Sequence, residues 1–117
     1  DVYKRQGQAD GGISIRKHYP DMSVVHTVNN LALVVWALLS HPDDFSAAIG
    51  DVVAAGLDTD CNGATVGALW GLQDKTIPDF WSAPWGGNVG LSLAGTDTVN
   101  VAELIDRTVA VTVNLSE

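Results

Sequence analysis

The sequence predicts an all-α fold, and three observations lead there. Apolar residues recur at helical spacing in Phe45, Ile49, Val52 and Val53, and again in Val101, Leu104 and Ile105, with Thr108 continuing the second set. A run at 31–39 is hydrophobic on all sides, rich in Leu and Ala, and suits a buried helix. Helix-ending or helix-starting residues stand between these stretches: Pro20, His41-Pro42, Gly56 and Asn100.

The elements follow in order. Residues 7–12 are polar and glycine-rich and read as loop. Residues 13–19 mix apolar and basic side chains, a short helix ended by Pro20. The apolar run predicts a helix from about Thr27 to Ser40, broken by His41-Pro42. Asp43 is placed to cap the next helix, with Asp44 complementing its dipole. Gly56 falls where a left-handed helix end is expected. Another helix is predicted at about 61–72, with Gly63, Gly67 and Gly71 as a stripe along one face. Each glycine costs a helix about 1 kcal/mol relative to alanine, so the stripe points to another backbone packing close. Residues 75–90 hold Pro78, Pro84, Gly86, Gly87, Trp81 and Trp85 and read as a long ordered loop, with a short extended piece at 89–93. Asn100 caps a last helix, with Glu103 at the capping-box position. Trp36 and Trp70 read as core, and His18 and His41 as surface. Packing of the long loop is the favoured role for Trp81 and Trp85, ahead of stacking on a base.

Composition narrows the function. The chain has 117 residues, enough for one domain with a usable core, and 46% of them are hydrophobic, which argues against disorder. A formal charge of −8 makes nucleic-acid backbones and anionic membranes poor partners. It also repels an anionic small molecule unless a cation mediates the contact. The single cysteine, Cys61, cannot form an internal disulfide and fits a reducing cytoplasm. The segment Asp1-Val2-Tyr3-Lys4-Arg5-Gln6 resembles the in-frame translation of a transposon-end adapter used in shotgun sequencing. Residues 1–6 are therefore expected to be a scar, and residues 7–117 the C-terminal part of a longer domain.

One stretch carries chemistry. Asp58-Thr59-Asp60-Cys61-Asn62-Gly63 places two carboxylates two residues apart at the start of the glycine-striped helix. Oxygen clusters of this kind hold hard divalent cations. Asp58, Asp60, Asn62 and Gly63 match positions of a calcium loop, but its twelfth position is Leu69 where a bidentate Glu is required. A phosphatase of the haloacid dehalogenase type needs Thr or Val where Asn62 stands, and a strand before the loop where this pattern is helical. A turn followed by helix capping accounts for both aspartates without any ligand.

The wider segment Gly56-Leu57-Asp58-Thr59-Asp60-Cys61-Asn62-Gly63-Ala64-Thr65-Val66-Gly67-Ala68-Leu69-Trp70-Gly71 resembles the C-terminal metal motif of the ADP-ribosylglycohydrolase family. There a Gly-Gly-Asp-Thr-Asp-Thr-like loop opens a small-residue helix. Val25-His26-Thr27-Val28-Asn29-Asn30, Asp44-Phe45-Ser46-Ala47-Ala48-Ile49, Ile77-Pro78 with Trp81 and Pro84, and Val101-Ala102-Glu103-Leu104-Ile105-Asp106-Arg107-Thr108 look like the surroundings of that motif in a bacterial branch. The resemblance covers about 24–108.

It implies the C-terminal part of an orthogonal helical bundle of ADP-ribosylglycohydrolase type, with the Pro/Trp/Gly loop before the last helix. It implies Asp58 and Asp60 as Mg2+ ligands, in a binuclear site whose other acidic cluster lies far upstream in the family. Cys61 stands where the family often has a metal-reaching Thr, and a thiol is a poor partner for a hard cation. Cys61 and Asn62 are thus candidates for metal contact or for support of the ligands. His26 and Asn30, four apart, are candidates for substrate binding, with a polar cap on a buried helix as the plainer role. Asp43-Asp44 lacks the family's Thr-Asp-Asp pattern and fits capping better. The implied reaction is Mg2+-dependent hydrolysis of an ADP-ribosyl N- or O-glycosidic bond in an ADP-ribosylated protein or an ADP-ribose-derived small molecule. The catalytic residues would lie in the missing N-terminal part, so this chain alone would be inactive. A non-catalytic scaffold of the kind the lens J1-type crystallins represent is the alternative.

Overall fold

The computed structural model describes residues 2–115, with side chains for 10–113 and 115. Asp1, Ser116 and Glu117 lie outside the described residues, as do the side chains of the segment read as an adapter scar. Two compact units divide the chain, Asp1–Ile77 and Pro78–Glu117.

The first unit packs four helices: α1 (Val2–His18), α2 (Thr27–Ser40), α3 (Phe45–Ala54) and α4 (Thr59–Gly71). Its core is Leu33, Val34 and Ala37 of α2, Phe45, Ala48 and Val52 of α3, and Val66 and Trp70 of α4. Phe45 and Trp70 meet edge to face at 5.6 Å, and the Trp70 indole N–H donates to the Thr76 carbonyl at 3.2 Å. Both arrangements suit large aromatics in a core.

Helix α2 has the predicted bounds, but α1 is longer than predicted. It passes through the glycine-rich segment read as loop. The physical reason is packing: a Cβ on Gly11 would lie 2.2 Å from Trp36 Nε1, and one on Gly12 would lie 3.0 Å from the Ala55 methyl. These glycines let α1 approach closely, and that contact overrides their low helix propensity. Trp36 is half-buried there, less enclosed than the predicted core residue.

Asp44, not Asp43, caps α3: its Oδ1 accepts the Ala47 N–H at 2.9 Å. The buried face of α3 is Phe45, Ala48 and Val52, with Ile49 half-buried and Val53 exposed. The stripe is therefore turned slightly from the predicted one. His41 is not a surface residue. Its side chain is 10% exposed and its Nε2 lies 2.7 Å from Asp51 Oδ2. Helix α4 starts two residues earlier than predicted because the Asp58 carbonyl already accepts the Asn62 N–H at 2.9 Å. Along its glycine stripe, a Cβ on Gly63 would touch Val53 at 3.4 Å, while Gly67 and Gly71 face open space. No backbone among the described residues fills that face.

The second unit runs through α5 (Asp79–Ser82), a 3-10 turn (Ala83–Trp85), β1 (Asn88–Leu93), β2 (Thr96–Asn100) and α6 (Val101–Asn114). The predicted long loop is thus partly helical. The all-α expectation gains one addition, an antiparallel hairpin pairing Val89 with Val99 and Gly90 with Thr98. Gly95, at φ 79°, supplies its tight reversal. Asn100 caps α6 as predicted, accepting the Glu103 N–H at 3.2 Å. Trp81 is half-buried and Trp85 exposed. Among the described residues no helix is long and apolar enough to cross a membrane.

Candidate metal centre

The acidic loop is set by the corner between α3 and α4. Gly56 leaves α3 at φ 84° and Leu57 follows at φ 65°, so two successive left-handed residues reverse the chain into Asp58. Glycine adopts this conformation freely, whereas a leucine pays roughly 1–2 kcal/mol. Contacts from two helices hold the corner. Arg16 Nη1 donates to the Ala55 carbonyl at 3.2 Å, and the Asp58 N–H donates to Asn30 Oδ1 at 3.1 Å.

Asp58 occupies the cap position of α4, yet its side chain makes no capping hydrogen bond. Its carboxylate instead faces its neighbours. Asp58, Asp60 and Cys61 each place one ligand-capable atom within 4.8 Å of the others. Asp58 is half-buried and the other two are exposed. The carboxyl of Asp60 is held below the usual carboxylate range, chiefly by its own backbone N–H, then by a hydrogen bond with the Asp58 side chain and by the Cys61 N–H. These amides belong to the first turn of α4, where the helix dipole favours anions. The Cys61 thiol is pushed up, first by a hydrogen bond with Asp58 and then by the charges of Asp58 and Asp60.

The donor set suits a hard cation in part. Two carboxylates match Mg2+ chemistry and a thiol does not. A protonated Cys61 beside them leaves Asp58 and Asp60 as the fitting donors. Asn62 is turned away from this cluster. It is buried, and its Nδ2 donates to Asn30 Oδ1 at 2.7 Å. His26 caps α2, its Nδ1 accepting the Val28 N–H at 3.2 Å, and its ring is exposed. Its carbonyl accepts from Asn30 Nδ2 at 2.9 Å, which links it through one residue to Asp58.

The structure disfavours two of the rival readings of the loop. A helix, α3, precedes it, where a haloacid dehalogenase phosphatase has a strand. Helix α4 begins at Thr59, so the stretch from there to Leu69 is helix and no twelve-residue calcium loop forms.

A family model described as ADP-ribosylglycohydrolase matches residues 7–113. The chain belongs to the ADP-ribosylglycohydrolase family. No curated protein and no solved structure matches it. The family groups metal-dependent, glycoside hydrolase-like proteins that act on ADP-ribosylated substrates. Within this member of the ADP-ribosylglycohydrolases, sequence reasoning located the acidic pair but missed what holds it: Arg16, the left-handed Leu57 and the engagement of both ends of Asn30. One signal was present. Two adjacent asparagines in an uncharged, apolar helix are amides that must find partners once buried.

Proposed function

We propose that Asp58 and Asp60 are carboxylate ligands of Mg2+ in a cytoplasmic hydrolase that cleaves an ADP-ribosyl N- or O-glycosidic bond. The observation that carries the reading is the convergence of the two carboxylates at the N-terminus of α4, that of Asp58 free of capping duty, within a family match that spans the loop. Residues 7–117 are, in this reading, the C-terminal part of the hydrolase, with residues 1–6 a sequencing scar. The remaining ligands of a binuclear site and the catalytic groups come from upstream.

The bond breaks at an anomeric carbon through an oxocarbenium-like transition state. Bound Mg2+ would orient and polarise the ribose hydroxyls and a water. The chain's own residues do the rest locally. Asp58 and Asp60 hold negative charge at a fixed corner. The dipole of α4, positive at this end, favours negative charge beside the loop, that of a substrate diphosphate included. With Nδ1 of His26 accepting from Val28, its neutral ring carries the proton on Nε2, placing a donor for a ribose hydroxyl or the leaving group. Cys61, kept as a thiol, stays out of the ligand set.

The test is hydrolysis of an ADP-ribosylated protein by the longer protein that joins this chain to its natural upstream segment. The expected result is Mg2+-dependent release of ADP-ribose, abolished by EDTA and by Asp58→Asn or Asp60→Asn, with no turnover by the 117-residue chain alone. Mg2+ binding without hydrolysis would favour a non-catalytic scaffold. EDTA-insensitive hydrolysis would overturn the metal role.

A further inference from the structure

We propose that Asn30 is the positioning residue of the acidic loop, an internal strut that sets the affinity of Asp58 and Asp60 for a divalent cation. The inference rests on the metal reading above but is drawn from the amide itself. Asn30 is 8% exposed. Its Oδ1 accepts two hydrogen bonds, from the Asp58 N–H at 3.1 Å and from Asn62 Nδ2 at 2.7 Å. Its Nδ2 donates to the carbonyls of Val24 at 2.8 Å and His26 at 2.9 Å.

The orientation of the amide is fixed by its partners. A backbone N–H can only donate and two backbone carbonyls can only accept, so a flipped Asn30 would oppose three of its four neighbours. The side chain has no lone pair or proton left for a substrate, which turns the substrate-binding expectation for Asn30 into a structural one. One carboxamide therefore ties the segment before α2 to the first turn of α4 across 28 positions of sequence. It holds the Asp58 backbone directly, and through Asn62 it holds the next turn of the helix that carries Asp60. Residues that hold metal ligands from behind typically change metal affinity about 10- to 100-fold when removed.

Asn29 supplies the control. It is buried at 2% exposure and donates to the Ser23 carbonyl at 3.1 Å; its Oδ1 accepts the Asn30 N–H and, at 3.4 Å, a bond from Asn30 Nδ2 whose loss leaves that amide its two carbonyl partners, and none of its hydrogen bonds reaches the loop. Asn29→Ala and Asn30→Ala are comparable insults to the same helix start. The experiment titrates Mn2+ into the 117-residue chain and its variants, following paramagnetic broadening of the Asp58 to Cys61 amide signals. Hydrogen exchange of the Asp58 amide is read alongside.

The expected result is a loss of Mn2+ affinity of about 10-fold or more in Asn30→Ala, with faster Asp58 exchange, and little change in affinity in Asn29→Ala. Asn62→Ala, which leaves the Asp58 bond in place, should give an intermediate loss. It keeps the test open if Asn30→Ala does not fold. Equal losses in Asn29→Ala and Asn30→Ala, or unchanged affinity in Asn62→Ala, would overturn the inference. A wild-type chain that binds no Mn2+ would instead overturn the metal reading and the claim on affinity, while Asp58 exchange still reports whether Asn30 fixes the corner.

Discussion

Arg16 and Ala55 are joined across 39 positions of sequence by a hydrogen bond of 3.2 Å from the guanidinium to the carbonyl. The same guanidinium nitrogen would lie 3.3 Å from a Cβ placed on Gly56. The end of α1 therefore closes over the left-handed residue that starts the acidic loop. Gly56→Ala meets both a strained φ of 84° and the Arg16 side chain. The expected outcome is a loss of about 1–2 kcal/mol in urea unfolding. An unchanged midpoint would place the corner in another conformation.

Two other glycines should respond with opposite signs. Gly11→Ala drives a methyl into the Trp36 ring and should destabilise by about 1–3 kcal/mol. Gly50, inside α3, has nothing within 4 Å of its missing Cβ. Gly50→Ala should stabilise by up to about 1 kcal/mol through helix propensity alone. Thermal melts followed by circular dichroism check both: an unchanged or raised midpoint in Gly11→Ala would contradict the packing of α1 on α2, and a lowered one in Gly50→Ala would contradict the open space beside Gly50.

The Cys61 thiol reports on its acidic neighbours. Because Asp58 and Asp60 raise its pKa, less thiolate is present at a given pH than in an ordinary cysteine, and alkylation accelerates only at higher pH. Asp58→Asn removes the largest contribution and should move the alkylation profile to lower pH. Mg2+ should move it the same way by neutralising both carboxylates. A profile indifferent to Asp58→Asn would show that the two side chains do not face each other.

Trp70 joins α4 to Phe45 and to Thr76. Trp70→Phe keeps the ring contact but loses the indole donor, and should cost about 0.5–1.5 kcal/mol, because water can reach the carbonyl of the exposed Thr76. Trp70→Ala also opens a cavity and should cost about 3–5 kcal/mol. Urea unfolding of the pair separates the two contributions, and equal losses would mean that the ring packing contributes little.

The elements legible in the sequence were those whose signal is local. Helix α2 could be bounded because an uncharged run ends at His41-Pro42, and the corner after α3 because Gly56 follows it. The elements misread depend on distant partners. Nothing near Gly11 and Gly12 announces Trp36, so a glycine-rich helix looks like a loop. Strand β2 carries little apolar alternation, and Thr96, Thr98 and Val99 beside Gly95 were the available sign of it. At the site, Asp58 and Asp60 could be found because their spacing is local, whereas the role of Asn30 depends on a contact 28 residues away.

Whether Asp58 and Asp60 form part of a hard-cation site is read from Mn2+ binding to the purified chain by electron paramagnetic resonance. Weak, saturable binding is expected, lost in Asp58→Asn and in Asp60→Asn and retained in Cys61→Ser. Binding that survives both aspartate substitutions, or that requires the Cys61 thiol, would contradict such a site.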